Sequence, residues 1–399
     1  MKFAVINKHV HNKYGFLEIF IPLYGILSYY VLPIVSSIGM IIIYLYAFVR
    51  IIKSCLYRKE VFYINKPLLA FVVYAICTQP IVYLLYGGFN NSRLFNYLSI
   101  MLMFMVICVC TQKINVDNLF KVYLIVGCIC SVATVLQSVQ LYVFGIKVYP
   151  IVLLPIDTSG WFLGGTRPCG FFPEPQAFAT YILPLLYYML KKHDFRWVMF
   201  FSISILFSTS SLGIISTIIL LCYYLLSSDT KKIYKLGTMF AVIIGLFILR
   251  NTAVYDYAIN KILETDFTSN SRLTHGFDIF NKLTFQQKIL GIGKNNIAYF
   301  IANGNVVLTD SVSIAMYNSA YVTSISDILI GFGVVGFLLY LFFLLRHIAK
   351  YENNMFIFLL FVLSFAQTIF LNSAWVFWMI IYFNIIEVKS SDFYKLRIK

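Results

Sequence analysis

The chain has 399 residues, 60% of them hydrophobic and only 12% charged, with a mean hydropathy of +0.83. Soluble globular domains carry about 25% charged residues, so this composition excludes one. A net charge of +15 raises the question of a nucleic-acid partner, and the positions of the charges answer against it.

Apolar runs of about 17–25 residues, the length a helix needs to cross a bilayer, recur from end to end. They predict spans near 14–31, 34–52, 67–87, 94–111, 119–142, 177–190, 197–210, 212–227, 236–250, 330–346, 355–370 and 373–387. The expected fold class is all-α, a polytopic transmembrane helix bundle of about 12 spans, in a single integral membrane domain over residues 1–399. Lys2, Lys8 and Lys13 precede a first helix that is long and aromatic, without a clear small-residue cleavage site, which argues against a cleavable signal peptide. One span in that first apolar block would leave Arg50, Lys53, Arg58 and Lys59 outside, so a hairpin turning near Pro33 is expected. Two outer segments interrupt the run of helices, 144–176 and the larger 251–318.

With both termini inside, 22 of the 31 Lys and Arg residues fall in cytoplasmic segments, among them Lys191, Lys192, Lys231, Lys232 and the tail Lys395–Lys399. The outer segments then hold 9 basic and 8 acidic residues. This positive-inside bias accounts for the basicity without DNA or RNA. Seven of the eight cysteines lie in or beside predicted spans; Cys169 alone lies clearly outside, without an obvious disulfide partner. Cys108/Cys110 and Cys128/Cys130 lack metal-ligand spacing and suit core packing.

The first outer segment ends in TRPCGFFPEPQAFATYILP, Thr166–Pro184, with an arginine and a glutamate seven residues apart at the mouth of a predicted helix. Arg167 offers a planar, permanently charged fork suited to phosphate oxygens, and Pro168, Gly170 and Pro173 fix the backbone around it. The bland alternative is an interfacial arginine that snorkels to headgroups. Glu174 precedes Pro175, which suits a first helical position, so the carboxylate can serve as a helix cap. Partial burial equally suits it to act as a general base.

In the second outer segment, Leu273, Phe277, Phe280 and Leu283 form the apolar face of a short amphipathic helix. Gly291 and Gly293 end that region in a tight turn. Arg272 and His275 are expected on its polar side, within reach of an outer cavity, and Lys282, Lys288 and Lys294 in solvent or at headgroups. Ordinary solvated charges remain the alternative for Arg272 and more so for His275. The small hydroxyl run Ser208–Ser211, before Gly213, suits close helix packing. Asp327 stands near or inside a predicted span and is a functional candidate on that ground, unless the helix begins only after it.

The Arg-x-x-Gly-x-Phe-x-Glu-Pro run at Arg167–Pro175 resembles the hallmark of the O-antigen polymerase and O-antigen ligase superfamily. These are membrane glycosyltransferases acting on undecaprenyl-diphosphate-linked glycans. Thr209–Gly213 is similar to the family's Thr-x-Ser-Arg-Gly helix start, and Ser271–Gly293 to its Arg-led outer helix ending in a Gly-x-Gly turn. Tyr317–Gly336 is similar to its His-Asn stretch leading to Gly-x-x-Gly. The resemblance covers roughly half the chain, Trp161–Leu344. Leu212 replaces a frequent arginine, and Tyr317, beside Asn318, stands where ligases carry a histidine.

The resemblance implies a polysaccharide polymerase of the bacterial inner membrane, with both termini cytoplasmic and the active site periplasmic. Arg167 and Arg272 would bind the diphosphate and Glu174 would be the base. Gly170, His275, Gly291, Gly293, Tyr317 and Asn318 would be accessory. The implied partners are an undecaprenyl-diphosphate-linked oligosaccharide, membrane lipids and a chain-length regulator. No cofactor or metal is expected, since no DxD-like motif stands in the outer loops. An O-antigen ligase is the first alternative. A flippase is the second, and it would require charges in the central spans, where few are found.

Overall fold

A computed structural model describes residues 14–31, 37–57, 60–87, 91–154, 161, 164–226, 232–233, 235–237, 239, 271–304 and 322–397. In chain order the elements are α1 (Phe16–Leu27), α2 (Ile38–Tyr57), β1 (Val61–Asn65), α3 (Lys66–Tyr86), α4 (Asn91–Cys110) and α5 (Val116–Tyr142). Then come α6 (Pro175–Lys192), α7 (Phe195–Phe207), α8 (Ser211–Leu226), α9 (Ser271–Lys282), α10 (Phe285–Leu290) and α11 (Ile297–Ala302). The chain continues through α12 (Ser324–Lys350), α13 (Asn354–Ala366), α14 (Ser373–Ile385) and β2 (Phe393–Arg397).

Among the described residues, five helices, α2, α3, α4, α5 and α12, are long and apolar enough to cross a membrane. Five others, α1, α7, α8, α13 and α14, are apolar but span only 10–17 residues. The predicted span over 236–250 lies almost wholly outside the described residues. Val31 pairs antiparallel with Ser37, and the Ile38 N–H donates to the Tyr30 carbonyl at 2.9 Å, while the turn expected near Pro33 lies outside the described residues.

The span expected at 330–346 belongs to a longer helix, α12, whose start is fixed by a capping box between Thr323 and Ser326. Asp327 therefore sits buried in the first turn. The helix breaks at Gly333, where φ is 69° and ψ −176°. A Cβ there would stand 2.1 Å from the Ile289 carbonyl oxygen, so only glycine fits. Other groups take up the carbonyls that the break releases. Ile292 N–H donates to Ile330 at 2.8 Å, Gly293 N–H and the Gln79 amide both to Gly331 at 3.1 Å, and the Tyr74 hydroxyl to Phe332 at 2.9 Å. An irregular backbone inside a helix bundle needs this full accounting.

The chain ends α13 at Ala366 rather than near 370, because Gln367 is extended (φ −150°, ψ 161°). The Ser324 hydroxyl then accepts from the Ile369 and Phe370 N–H groups at 2.7 and 3.0 Å. Small residues set the α6–α8 contact, where a Cβ on Gly213 would stand 2.5 Å from that of Ala179. This agrees with the packing role expected of the neighbouring hydroxyl run.

The all-α class holds, with one small two-stranded sheet added among the described residues. The strand β1 pairs antiparallel with β2, from Val61 opposite Arg397 to Asn65 opposite Phe393. Below the sheet the fully buried Asp392 carboxylate receives Arg346 at 2.6 Å, Lys350 at 2.6 Å and the Tyr351 hydroxyl at 2.9 Å. The same end of the bundle holds Glu60 with Arg50 (2.8 Å) and Lys192 with Asp117 (2.9 Å). It is the basic face of the molecule.

Burial would raise the Asp392 pKa, but the hydrogen bonds from Lys350, Arg346 and Tyr351 outweigh it and hold the carboxyl at about 2. The folded value lies below the usual 3.8. Its stabilisation is therefore complete above the ordinary carboxylate range and is lost as pH falls from there towards 2. Asp392→Asn is expected to lower stability at neutral pH by about 2–3 kcal/mol, the range for hydrogen bonds to a charged group. Thermal unfolding in detergent should show the gap closing on acidification. Parallel pH profiles of the two proteins would refute this role.

Candidate functional site

On the face opposite the basic one, four pieces of chain line a cavity of about 250 Å³. Tyr29 contributes from the end of α1, Glu174 and Gln176 from the start of α6, and Thr323 from the start of α12. The α13–α14 connection contributes Gln367, Thr368 and Asn372. Three of these wall residues, Glu174, Thr323 and Asn372, are helix N-caps. Three helix amino termini therefore lie on the wall of one cavity, and such ends favour a negatively charged group nearby.

The three caps differ. Asn372 accepts from the Trp375 N–H at 3.1 Å, and Thr323 is half of a capping box. Glu174 has cap geometry (φ −155°, ψ 160°), but its side chain makes no cap hydrogen bond. Its helix start relies instead on Pro175, which has no N–H to satisfy. Glu174 thus takes the N-cap position expected of it, with a side chain that no cap hydrogen bond engages. A half-buried carboxylate on the cavity wall is positioned to accept a proton.

The segment before Glu174 is braced by α5. The Gln137 amide oxygen accepts from the Cys169 and Gly170 N–H groups at 2.9 and 2.8 Å, while its nitrogen donates to the Tyr149 carbonyl at 2.8 Å. Gly170 has φ 61°, and a Cβ there would stand 2.7 Å from the Thr134 hydroxyl. Gly170→Ala is expected to cost about 1–3 kcal/mol through this strained backbone, read as a lower unfolding temperature in detergent. Unchanged unfolding would show that the contact is slack. Burial, with the Glu174 charge adding to it, pushes the Cys169 thiol up to about 12, so it packs as an unreactive group.

Arg167 is half-buried on this segment but is not among the residues lining the cavity. Arg272 opens α9, its side chain outside the described residues, as are Tyr317 and Asn318. Two expectations are corrected on the large outer segment. His275, expected on the polar side of its helix, is buried, while Phe277, expected on the apolar face, is exposed. The reason is Gly276: a Cβ there would stand 2.1 Å from the Ser326 hydroxyl, so α9 lies against α12 on its His275–Ile279–Leu283 side. Gly291 (φ 82°) and Gly293 (φ 98°) do form the tight turn, and it seats into the break of α12.

Lys294, expected in solvent, is buried. Its ammonium donates to the Leu371 carbonyl at 2.8 Å, its N–H to the Gln79 amide oxygen at 2.8 Å, and its carbonyl accepts from the Tyr83 hydroxyl at 2.9 Å. Burial lowers its pKa to about 8, with the Asp327 charge acting the other way. Lys294 thus holds the backbone beside Asn372 on the cavity wall. The wall residues Gln176, Gln367, Thr368 and Asn372 were also not singled out from sequence. The only signal was a polar interruption, Gln-Thr and then Asn-Ser, between two apolar runs.

No family model matches the chain, and no curated protein matches it.

Proposed function

We propose that the chain is a polysaccharide polymerase of the bacterial inner membrane, joining lipid-linked repeat units on the outer face. In this reading about twelve spans cross the bilayer, both termini and the basic face are cytoplasmic, and the cavity faces the periplasm. The observation that carries it is the Glu174 carboxylate, without a cap hydrogen bond, on the wall of a cavity that three helix amino termini share.

The acceptor is a sugar hydroxyl whose proton passes to Glu174 as its oxygen attacks the anomeric carbon of the donor. The bond from that carbon to the phosphate oxygen breaks, and undecaprenyl diphosphate leaves with the electron pair. Helix dipoles, with Arg167 and Arg272, would stabilise the departing anion. The activated donor supplies the energy, so the step needs no cofactor. A membrane-embedded acceptor and donor, and a regulator of chain length, are the partners this chemistry implies.

The test is a gel of surface glycan from the source strain lacking the gene, complemented with wild-type protein, Arg167→Ala or Arg272→Ala. Loss of the ladder with a single repeat unit kept on the core is the expected result, for deletion and for both variants. Complete loss of repeats from the core, with lipid-linked polymer accumulating, would make the protein a ligase. Wild-type polymer from both variants would remove the arginines from the site.

A further inference from the structure

The segment that leaves α5 does not project away from the bundle. Its backbone turns inward and back down the helix. Ile146 N–H donates to Gln140 at 3.0 Å, Val148 N–H to Gly165 at 3.1 Å and Ile151 N–H to Gly170 at 2.7 Å. Leu153 N–H donates to the Tyr30 hydroxyl at 2.8 Å, and the Tyr149 carbonyl is held by Gln137. While the backbone is paired inward, the side chains of Val143, Phe144, Ile146, Tyr149, Val152 and Leu153 stand exposed.

Depth follows from helix geometry. With about 1.5 Å of rise per residue, Gln137 lies about 8 Å and Thr134 about 12 Å below the last residue of α5. The exposed Lys121 sits just over a turn into α5, and no charged residue follows before Lys147. A hydrocarbon core of about 30 Å measured from Lys121 reaches the last turn of the helix. The levels of Gln137 and Thr134, where Tyr149 and Gly170 are anchored, fall inside that core. The exposed apolar stripe of α5 (Ile125, Ile129, Val132, Leu136) runs without interruption into Val143 and Phe144. Irregular backbone at this depth is tolerated only when its polar groups are satisfied by protein, the condition that these hydrogen bonds meet.

We propose that residues 143–154 form a re-entrant shelf immersed in the lipid of the leaflet on the cavity side, with the leg 164–173 packed behind it against the bundle. Acyl chains cover its outward side chains, and Lys147 stands at the level of the phosphate headgroups. The proposal rests on the chain spanning a membrane and not on glycan transfer.

The experiment uses the full chain in lipid nanodiscs. Phe144→Trp and Tyr149→Trp are compared, after subtraction of the parent's emission, for quenching by lipids brominated on their acyl chains and by acrylamide. Strong quenching by the brominated lipid and weak quenching by acrylamide is expected at both positions. The reverse pattern would overturn the shelf. Hydroxyl-radical footprinting of the unaltered protein guards against misfolded variants. Scaled for intrinsic reactivity, Phe144 and Tyr149 should be protected like Phe48, exposed on α2, rather than like Tyr394, exposed on β2. Labelling closer to that of Tyr394 would overturn the proposal.

Discussion

Glu174→Gln is expected to reduce glycan transfer by about 10²–10⁴-fold, the usual contribution of a general base, with the protein inserted at wild-type amounts. The two halves of this expectation come from one observation. Glutamine keeps the size and shape of the side chain, and the carboxylate makes no cap hydrogen bond whose loss could unravel α6. Pro175 and the buried run from Ala177 to Leu190 continue to hold that helix. What glutamine cannot do is take a proton from an attacking hydroxyl. The measurement is elongation of a lipid-diphosphate-linked repeat unit by membranes carrying each protein, normalised to protein present. An unreduced rate would remove Glu174 as the base; a reduced rate matched by loss of protein would make it a structural residue.

Lys294→Met should lower stability by about 1.5–3 kcal/mol, the range for a hydrogen bond to a charged group, and it also removes the cation whose field favours the buried Asp327 carboxylate. The freed carbonyl belongs to Leu371, itself held in left-handed backbone at φ 49°. Adding Asp327→Asn to Lys294→Met should recover a substantial part of the loss, since no unbalanced charge then remains buried. Thermal unfolding of both proteins in detergent decides this. Equal unfolding temperatures for Lys294→Met and wild type, or a double variant as weak as the sum of its parts, would contradict the coupling.

The apolar runs made most helices legible, with boundaries shifted by a few residues, because hydrocarbon length and hairpin polarity leave few alternatives. The Arg–Glu segment was legible as an irregular, stiff entry to a helix, and Glu174 does reach the cavity wall. Contacts between residues far apart in sequence were not. Lys294 is buried by Gln79 and Tyr83, more than 200 positions away, and nothing in its neighbourhood announces them. The packed side of α9 depends on Gly276 meeting Ser326, so the apolar count placed Leu283 and Phe280 against the core but misplaced Phe277 and His275. The cavity's far wall, Gln367–Ser373, read only as a short break between two spans.

The sheet between β1 and β2 has a consequence for biosynthesis. Asn65 and Phe393 are hydrogen-bonding neighbours, so the intervening chain must cross the bilayer an even number of times. A nascent chain in which one helix failed to insert, or inserted twice, would deliver residues 393–397 to the wrong compartment, leaving β1 single and Asp392 unable to meet Arg346 and Lys350. The pairing forms only after nearly every helix has been threaded, which makes it a parity check on topology. Molecules that fail it would present an unpaired strand and an unmatched basic cluster at Arg346 and Lys350.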